Sequence, residues 1–200
     1  MIYLIITTSI HNKVGVQNTE HRKARYLECI QAALNVVKDD PQIKPIVVEN
    51  NGARSTYFDG LSCAVEYTNT NAQSFPHKGY NEMLDVQEVM RRYAVNDDDM
   101  VVKLTGRYKL RSALFFNTIK QTNHEAYLKF FNVWTLKYSS TCVLGLVAIK
   151  AKYLKGFAYT GRQSAEDDFA DLARSTTNAL ALTQLDLECC FADDLHILNV

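Results

Sequence analysis

Arg107 closes the run Met100-Val101-Val102-Lys103-Leu104-Thr105-Gly106-Arg107, four apolar positions broken only by Lys103. A buried strand that ends in Gly and Arg can set a backbone and a guanidinium against a phosphate. Other polar groups follow apolar runs in the same way. Thr7, Thr8 and Ser9 follow Ile2–Ile6, Asn50 and Asn51 follow Ile43–Glu49, and Asn69 and Asn71 follow Val65–Thr68. Lys78-Gly79 opens a further segment, and Arg22 and Arg25 lie on the first amphipathic stretch. Hydroxyls, amides and cations with few carboxylates suit a nucleoside diphosphate: amides for base and ribose, cations and helix N-termini for phosphates.

Carboxylates cluster elsewhere. In Ser164-Ala165-Glu166-Asp167-Asp168, Ser164 and Asp167 have the spacing of a helix-capping box, although Glu or Gln is the usual partner. A carboxylate at that helix start, beside Tyr159–Arg162, suits a general base toward a hydroxyl. Glu166 is the first choice and Asp167 the second. Asp97-Asp98-Asp99 contains an Asp-x-Asp, but it precedes its strand and stands about 16 Å from Thr105 at the usual strand rise. It reads as a solvated turn. His196, after Asp193-Asp194-Leu195, is a weak candidate for an oxygen-rich divalent-metal site, and His77 precedes the Lys78 helix. No P-loop, GxGxxG, HExxH or nucleophile-elbow pattern occurs.

The elements that must position these groups follow from periodicity. Continuous apolar runs at Ile2–Thr8, Ile43–Glu49 and Met100–Leu104 predict strands buried on both faces, as in a parallel sheet. Leu27, Ile30, Leu34 and Val37 predict a helix over Glu20–Lys38, stopped by Asp39-Asp40-Pro41. Met83, Val86, Met90 and Tyr93 predict a second over Lys78–Tyr93, and Val65–Thr68 a short strand before it. Strand–helix–strand alternation implies crossover units and a mainly parallel sheet. The second half reads as mixed: helices at Leu110–Lys120 and Ser164–Leu182, strands at Ala126–Trp134 and Cys142–Ile149, and a half-buried strand through Leu185, Leu187, Cys189 and Phe191. Ligands in such sheets bind beyond the carboxyl ends of the strands, where the polar groups collect.

Lys and Arg balance Asp and Glu at 22 each, which argues against a general nucleic-acid or anionic-membrane surface. No run reaches the roughly 18 apolar residues of a membrane span. Met1–Ser9 lacks a basic leader and reads as a strand rather than a signal peptide. Five cysteines without a CxxC predict a reduced, cytoplasmic chain. No linker-like composition divides the chain.

In order and spacing, five pieces resemble small GT-A-type glycosyltransferases, in particular viral and bacterial enzymes that build surface glycans. They are Ile5–Ser9, Val48–Gly52, Lys78–Glu82, Val102–Tyr108 and Ser164–Asp167. The resemblance implies an α/β fold in a single GT-A-like, Rossmann-like domain over residues 1–200. It implies a UDP- or other NDP-sugar donor held by about 1–108, a glycan acceptor and the catalytic group in about 109–200, and transfer to an acceptor hydroxyl by an inverting carboxylate base. Such enzymes carry an Asp-x-Asp with Mn²⁺ or Mg²⁺ after the strand matching Met100–Leu104. Here that place reads Thr105-Gly106-Arg107, so Arg107, with Lys78 or Arg22, is expected to neutralise charge that a metal would otherwise neutralise. Two alternatives stay open. A sugar-phosphate nucleotidyltransferase wants a Gly-rich basic loop after the first strand, where Thr7–Val16 offers only Gly15 and Lys13. The other is a non-catalytic nucleotide- or sugar-binding module.

Overall fold

The structure is a computed structural model that describes residues 1–11, 19–54, 56–72, 78–160, 164–191 and 194–200, with the backbone alone at 56 and 78. Its first half runs β1 (Ile2–Thr8), α1 (Thr19–Val37), β2 (Ile43–Glu49), β3 (Ala64–Tyr67), α2 (Lys78–Arg92) and β4 (Met100–Thr105). β1, β2, β3 and β4 are mutually parallel, with Thr8 opposite Glu49 and Thr7 opposite Thr105. β-branched residues dominate β1 and make up half of β4, and both faces of these inner strands are covered, so neither shows alternation.

The second half runs β5 (Lys109–Leu110), α3 (Leu114–Gln121), β6 (Ala126–Leu128), β7 (Leu146–Lys150), α4 (Ala151–Lys155), α5 (Ala165–Ser175), β8 (Ala179–Ala181), β9 (Leu187–Cys190) and β10 (Ile197–Asn199). β7 joins β4 antiparallel, and the seven-stranded sheet has the order β3-β2-β1-β4-β7-β6-β8. β5, β9 and β10 make a small antiparallel sheet. One face of the large sheet packs on a core that includes Tyr26, Ile30 and Leu34 of α1 and Phe115 and Phe116 of α3. The other packs on Met83, Val86 and Met90 of α2 and Phe169 of α5. The α/β architecture with a mainly parallel central sheet, flanking helices and a mixed second half is thus as expected.

Several boundaries differ from the periodicity. The late helix ends at Ser175 rather than Leu182. Thr176 turns extended and caps it, and residues 179–181 pair with β6 as an edge strand instead. Ala126–Trp134 is a strand only to Leu128. There Lys129 accepts from Val143 N, and Asn132 turns the chain. The helix expected from Leu110 begins at Leu114, because β9 captures Lys109 and Leu110 in register with Glu188 and Leu187. The strand expected at Cys142–Ile149 begins at Leu146. Gly145 before it has no room for a side chain, since a Cβ there would run into the Tyr108 ring.

Candidate active site

β1 is followed by β2 on one side of the sheet and flanked by β4 on the other. The strand order therefore reverses between β1 and β4, and a ligand crevice is expected beyond their carboxyl ends. Gly106 sits at this point. Its N–H donates to Thr7 O at 2.8 Å. A Cβ on it would stand 2.8 Å from Thr8 Cγ2 and 3.0 Å from the Tyr26 ring, so the close approach of the two strand ends requires glycine.

Alternation along β4 sends Lys103 and Thr105 toward α2. Lys103 is buried, and its ammonium donates to Thr105 Oγ1 at 2.7 Å and Leu144 O at 2.8 Å and pairs with Glu82 of α2. Thr105 Oγ1 donates to Glu82 at 3.0 Å. Burial alone would raise the Glu82 carboxyl, but Lys103 and Arg107 outweigh it and hold it below the usual carboxylate range. The Arg107 guanidinium donates to Cys190 O at 2.7 Å. Burial opposes its charge, yet Tyr26, Tyr108 and Glu82 keep its pKa above the ordinary arginine value. Arg25, next to Tyr26 on α1, pairs with Glu188 at 2.8 Å and donates to Arg107 O at 3.0 Å, which fixes the backbone of Arg107. Arg107, Lys103, Glu82 and Thr105 line a cleft of about 180 Å³ together with Gly79 and Glu166.

Two helix starts meet at this cleft. Gly79, in the first turn of α2, lies against α5, where a Cβ would come within 2.6 Å of Ala165 Cβ. The N-termini of α2 and α5 are thereby brought side by side, and both carry partial positive charge. Ser164 caps α5: its Oγ accepts from Asp167 N at 3.2 Å and donates to the Asp167 carboxylate at 2.8 Å. Asp168 is buried and takes Thr160 N at 2.9 Å, which ties down the chain entering the helix. Glu166 has neither task. Among the described residues no hydrogen bond or ion pair engages its carboxylate. It lines the cleft just described and also a second cavity of about 480 Å³, with Asn132, Trp134, Ser139 and Thr141 on its far side. Of the two carboxylates singled out in the sequence, Asp167 serves the cap and Glu166 is left facing both spaces.

The remaining sequence candidates divide. Thr105, Gly106 and Arg107 meet at the crevice. Thr7 and Thr8 reach it with their backbone, but their hydroxyls are used inside the sheet: Thr7 Oγ1 donates to Leu104 O at 3.4 Å, and Thr8 Oγ1 to Val48 O at 3.0 Å and Glu49 at 2.7 Å. Arg22 is buried, not solvated. It donates to Ser9 O at 2.7 Å and Ile10 O at 3.3 Å and so holds the chain leaving β1. Asn50 is buried and donates to Asp85 at 3.1 Å. Asn51 bonds Glu49 and accepts from Asn71 Nδ2 at 3.0 Å. Lys78 begins α2, while His77, Arg162 and Asp193 lie outside the described residues. His196 is set apart, stacked on Phe191 at 5.8 Å. Asp97 and Asp98 pair with Lys155 and Lys150, and Asp99 with the Met1 amino group, all at the amino end of β4 as expected.

Two buried acids beside the crevice were not singled out as a pair. Glu49 and Asp85 are each wholly buried. Burial pushes the Glu49 carboxyl up to about 7 against bonds from Thr8 and Ile10. Burial likewise pushes Asp85 up to about 7 against bonds from Thr68, Thr70 and Asn50. Each binds a proton more readily folded than unfolded, so their contribution to stability is full below the unfolded values of 4.5 and 3.8 and is lost as pH rises through about 7. Asp85→Asn removes one of the two charges. Relative to wild type, its unfolding free energy should improve by on the order of 2 kcal/mol between pH 4 and pH 7.5. Urea melts across that range read this, and a pH-independent difference would contradict it.

The chain has the GT-A fold. Three solved structures illustrate the likeness. The mannosyltransferase PcManGT of Pyrobaculum calidifontis, solved with GDP-Man and Mn²⁺, superposes on 90% of this chain at TM-score 0.59 and 12% identity. S. aureus TarS superposes on 91% at 0.54 and 14% identity, and the galactosyltransferase LgtC, solved with donor and acceptor sugar analogs, on 90% at 0.52 and 9% identity. This chain spans 54% of PcManGT, 58% of TarS and 73% of LgtC. No family model and no curated protein sequence matches the chain. No helix among the described residues is long and apolar enough to cross a membrane.

The donor set at the end of β4 does not fit a divalent cation. Glu82 is bonded by Lys103 and Thr105, Arg107 adds a second positive charge, and no three His, Cys, Asp or Glu side chains converge among the described residues.

Proposed function

We propose that the chain is a metal-independent glycosyltransferase that moves a hexosyl or deoxyhexosyl unit from UDP or another nucleoside diphosphate to a glycan hydroxyl. The observation that carries this reading is Glu166, whose carboxylate is unengaged among the described residues and forms a wall of both the cationic cleft and the larger cavity. The diphosphate lies in the cleft against Arg107 and the paired helix N-termini. The acceptor enters the larger cavity, so residues 1–108 serve the donor and 109–200 the acceptor. Glu166 takes the proton of the acceptor hydroxyl. The freed oxygen pair bonds the anomeric carbon from one face while the bond to the diphosphate breaks on the other, and the leaving electrons stay on the nucleoside diphosphate. Configuration inverts. Lys103 and Arg107 are fixed before the donor arrives, so little reorganisation accompanies charge development on the leaving group. The all-thiol cysteines of the described residues accord with a cytoplasmic enzyme of glycan biosynthesis.

A thermal-shift panel of UDP-, GDP-, dTDP- and CMP-sugars tests donor binding. A donor at 100 times its Kd should add about 2.7 kcal/mol to stability. One nucleoside diphosphate sugar should raise Tm equally in Mn²⁺ and in EDTA. Binding that appears only with Mn²⁺, or with none of the donors, would overturn the proposal.

A further inference from the structure

Trp134 stands between two cavities. The first, about 480 Å³, is the one Glu166 lines; the second, about 310 Å³, lies on its other side against Phe191, Asp194 and His196. Both fall in the size range of small-molecule sites. The indole packs on Phe191 at 4.9 Å between centroids, yet Trp134 remains 72% exposed. Its position does not depend on core packing. Asn132 Oδ1 accepts from Trp134 N and Thr135 N, each at 2.9 Å, and Asn132 N donates to Lys137 O at 2.9 Å. This turn holds a large aromatic surface out in solvent at the mouth of the candidate site. Such exposure removes only a minor part of the indole's apolar area from water, so folding alone does not account for it.

The lining chemistry narrows what belongs there. Ser139, Thr141, Glu166 and Asp167 surround the first space and Asp194 and His196 the second, and neither space has a Lys or Arg among its described lining residues. The donor cleft, in contrast, has Lys103 and Arg107. Hydroxyl and carboxylate acceptors with an aromatic face suit a neutral polyol. The C–H face of a pyranose is apolar and weakly positive, and it meets the negative face of the indole. Phosphate or uronate groups would meet carboxylates with no Lys or Arg among the described lining residues to compensate them.

From this geometry we infer that the acceptor is a neutral oligosaccharide of at least two units. Its reacting sugar occupies the Glu166 cavity, and the neighbouring sugar stacks on Trp134 and extends toward Phe191 and His196. This inference rests on the transferase reading for the role of Glu166, but its test does not require turnover. Trp134 is the single tryptophan of the chain, so its emission reports on this position alone. Neutral gluco-, galacto-, manno- and chito-oligosaccharides of two to four units are titrated against the whole chain, beside their methyl monosaccharides, an oligogalacturonide and anionic lipid vesicles. At least one neutral oligosaccharide should change Trp134 emission and bind at least tenfold tighter than its monosaccharide. By calorimetry, Trp134→Ala should weaken that binding tenfold or more and Trp134→Phe less than threefold, with donor thermal shifts unchanged in both.

No response to any neutral oligosaccharide, equal affinity for the monosaccharide, preference for the oligogalacturonide, or a response to vesicles alone would each overturn the inference. The two readings fail separately. Sugar binding at Trp134 without stabilisation by any nucleotide sugar would remove the transferase and leave the groove. Nucleotide-sugar binding and turnover without a Trp134 response would do the reverse.

Discussion

Glu166→Gln is expected to lower sugar transfer by a factor of about 10² to 10⁴ and to leave donor binding within about threefold of wild type. The substitution keeps the side chain's size at a helix start whose cap is made by Ser164 and Asp167, so stability should hardly change. What it removes is the carboxylate that lines both cavities and is proposed as the proton acceptor. Asp167→Asn provides the control. It weakens the bond from Ser164 Oγ and should cost about 1 kcal/mol of stability, with transfer falling less than tenfold. If the Asp167 variant lost activity and Glu166→Gln kept it, the assignment of the base would be reversed.

Arg107→Ala is expected to cost about 10² to 10³ in kcat/KM, the size seen when a fixed donor to developing negative charge is removed. Arg107 also donates to Cys190 O, so the alanine variant should melt earlier too. Arg107→Lys separates these effects. It keeps the charge but loses the planar fork, and it should fold with wild-type stability to within about 1 kcal/mol while losing about tenfold in kcat/KM. Wild-type transfer should persist in EDTA if, as proposed, Arg107 and the helix N-termini rather than a bound ion meet the diphosphate. Folded Arg107→Ala enzyme with activity within threefold of wild type, or wild-type activity abolished by EDTA and restored by Mn²⁺, would each contradict this role.

The parts of this account that were legible in the sequence are those written in one short segment. β1 and β2 begin and end where their apolar runs do, and the Ser164–Asp167 cap has the spacing read from four residues. The direction of β4 alone assigned Asp97–Asp99 to the outer end. What could not be read was which polar groups spend themselves on each other. The hydroxyl of Thr8 looks like a ligand group until Glu49, 41 residues away, claims it. Asn50 is taken by Asp85 in the same way, across 35 residues. Lys103 was visible as a lone charge inside an apolar strand, a signal in itself, since a buried ammonium needs a partner. The identity of that partner, Glu82 on α2, follows only from how α2 packs. Edge strand β8 was hidden because residues 176–182 continue the helical pattern of α5, and only pairing with β6 settles them as a strand.

The most direct test is release of nucleoside diphosphate from whichever nucleotide sugar stabilises the chain, measured in EDTA with an oligosaccharide acceptor that Trp134 binds. Wild type should release it steadily, matched by sugar appearing on the acceptor, and Glu166→Gln at least a hundredfold less at unchanged donor affinity. Stoichiometric donor binding with no release from wild type would contradict the transferase reading and leave a binding module.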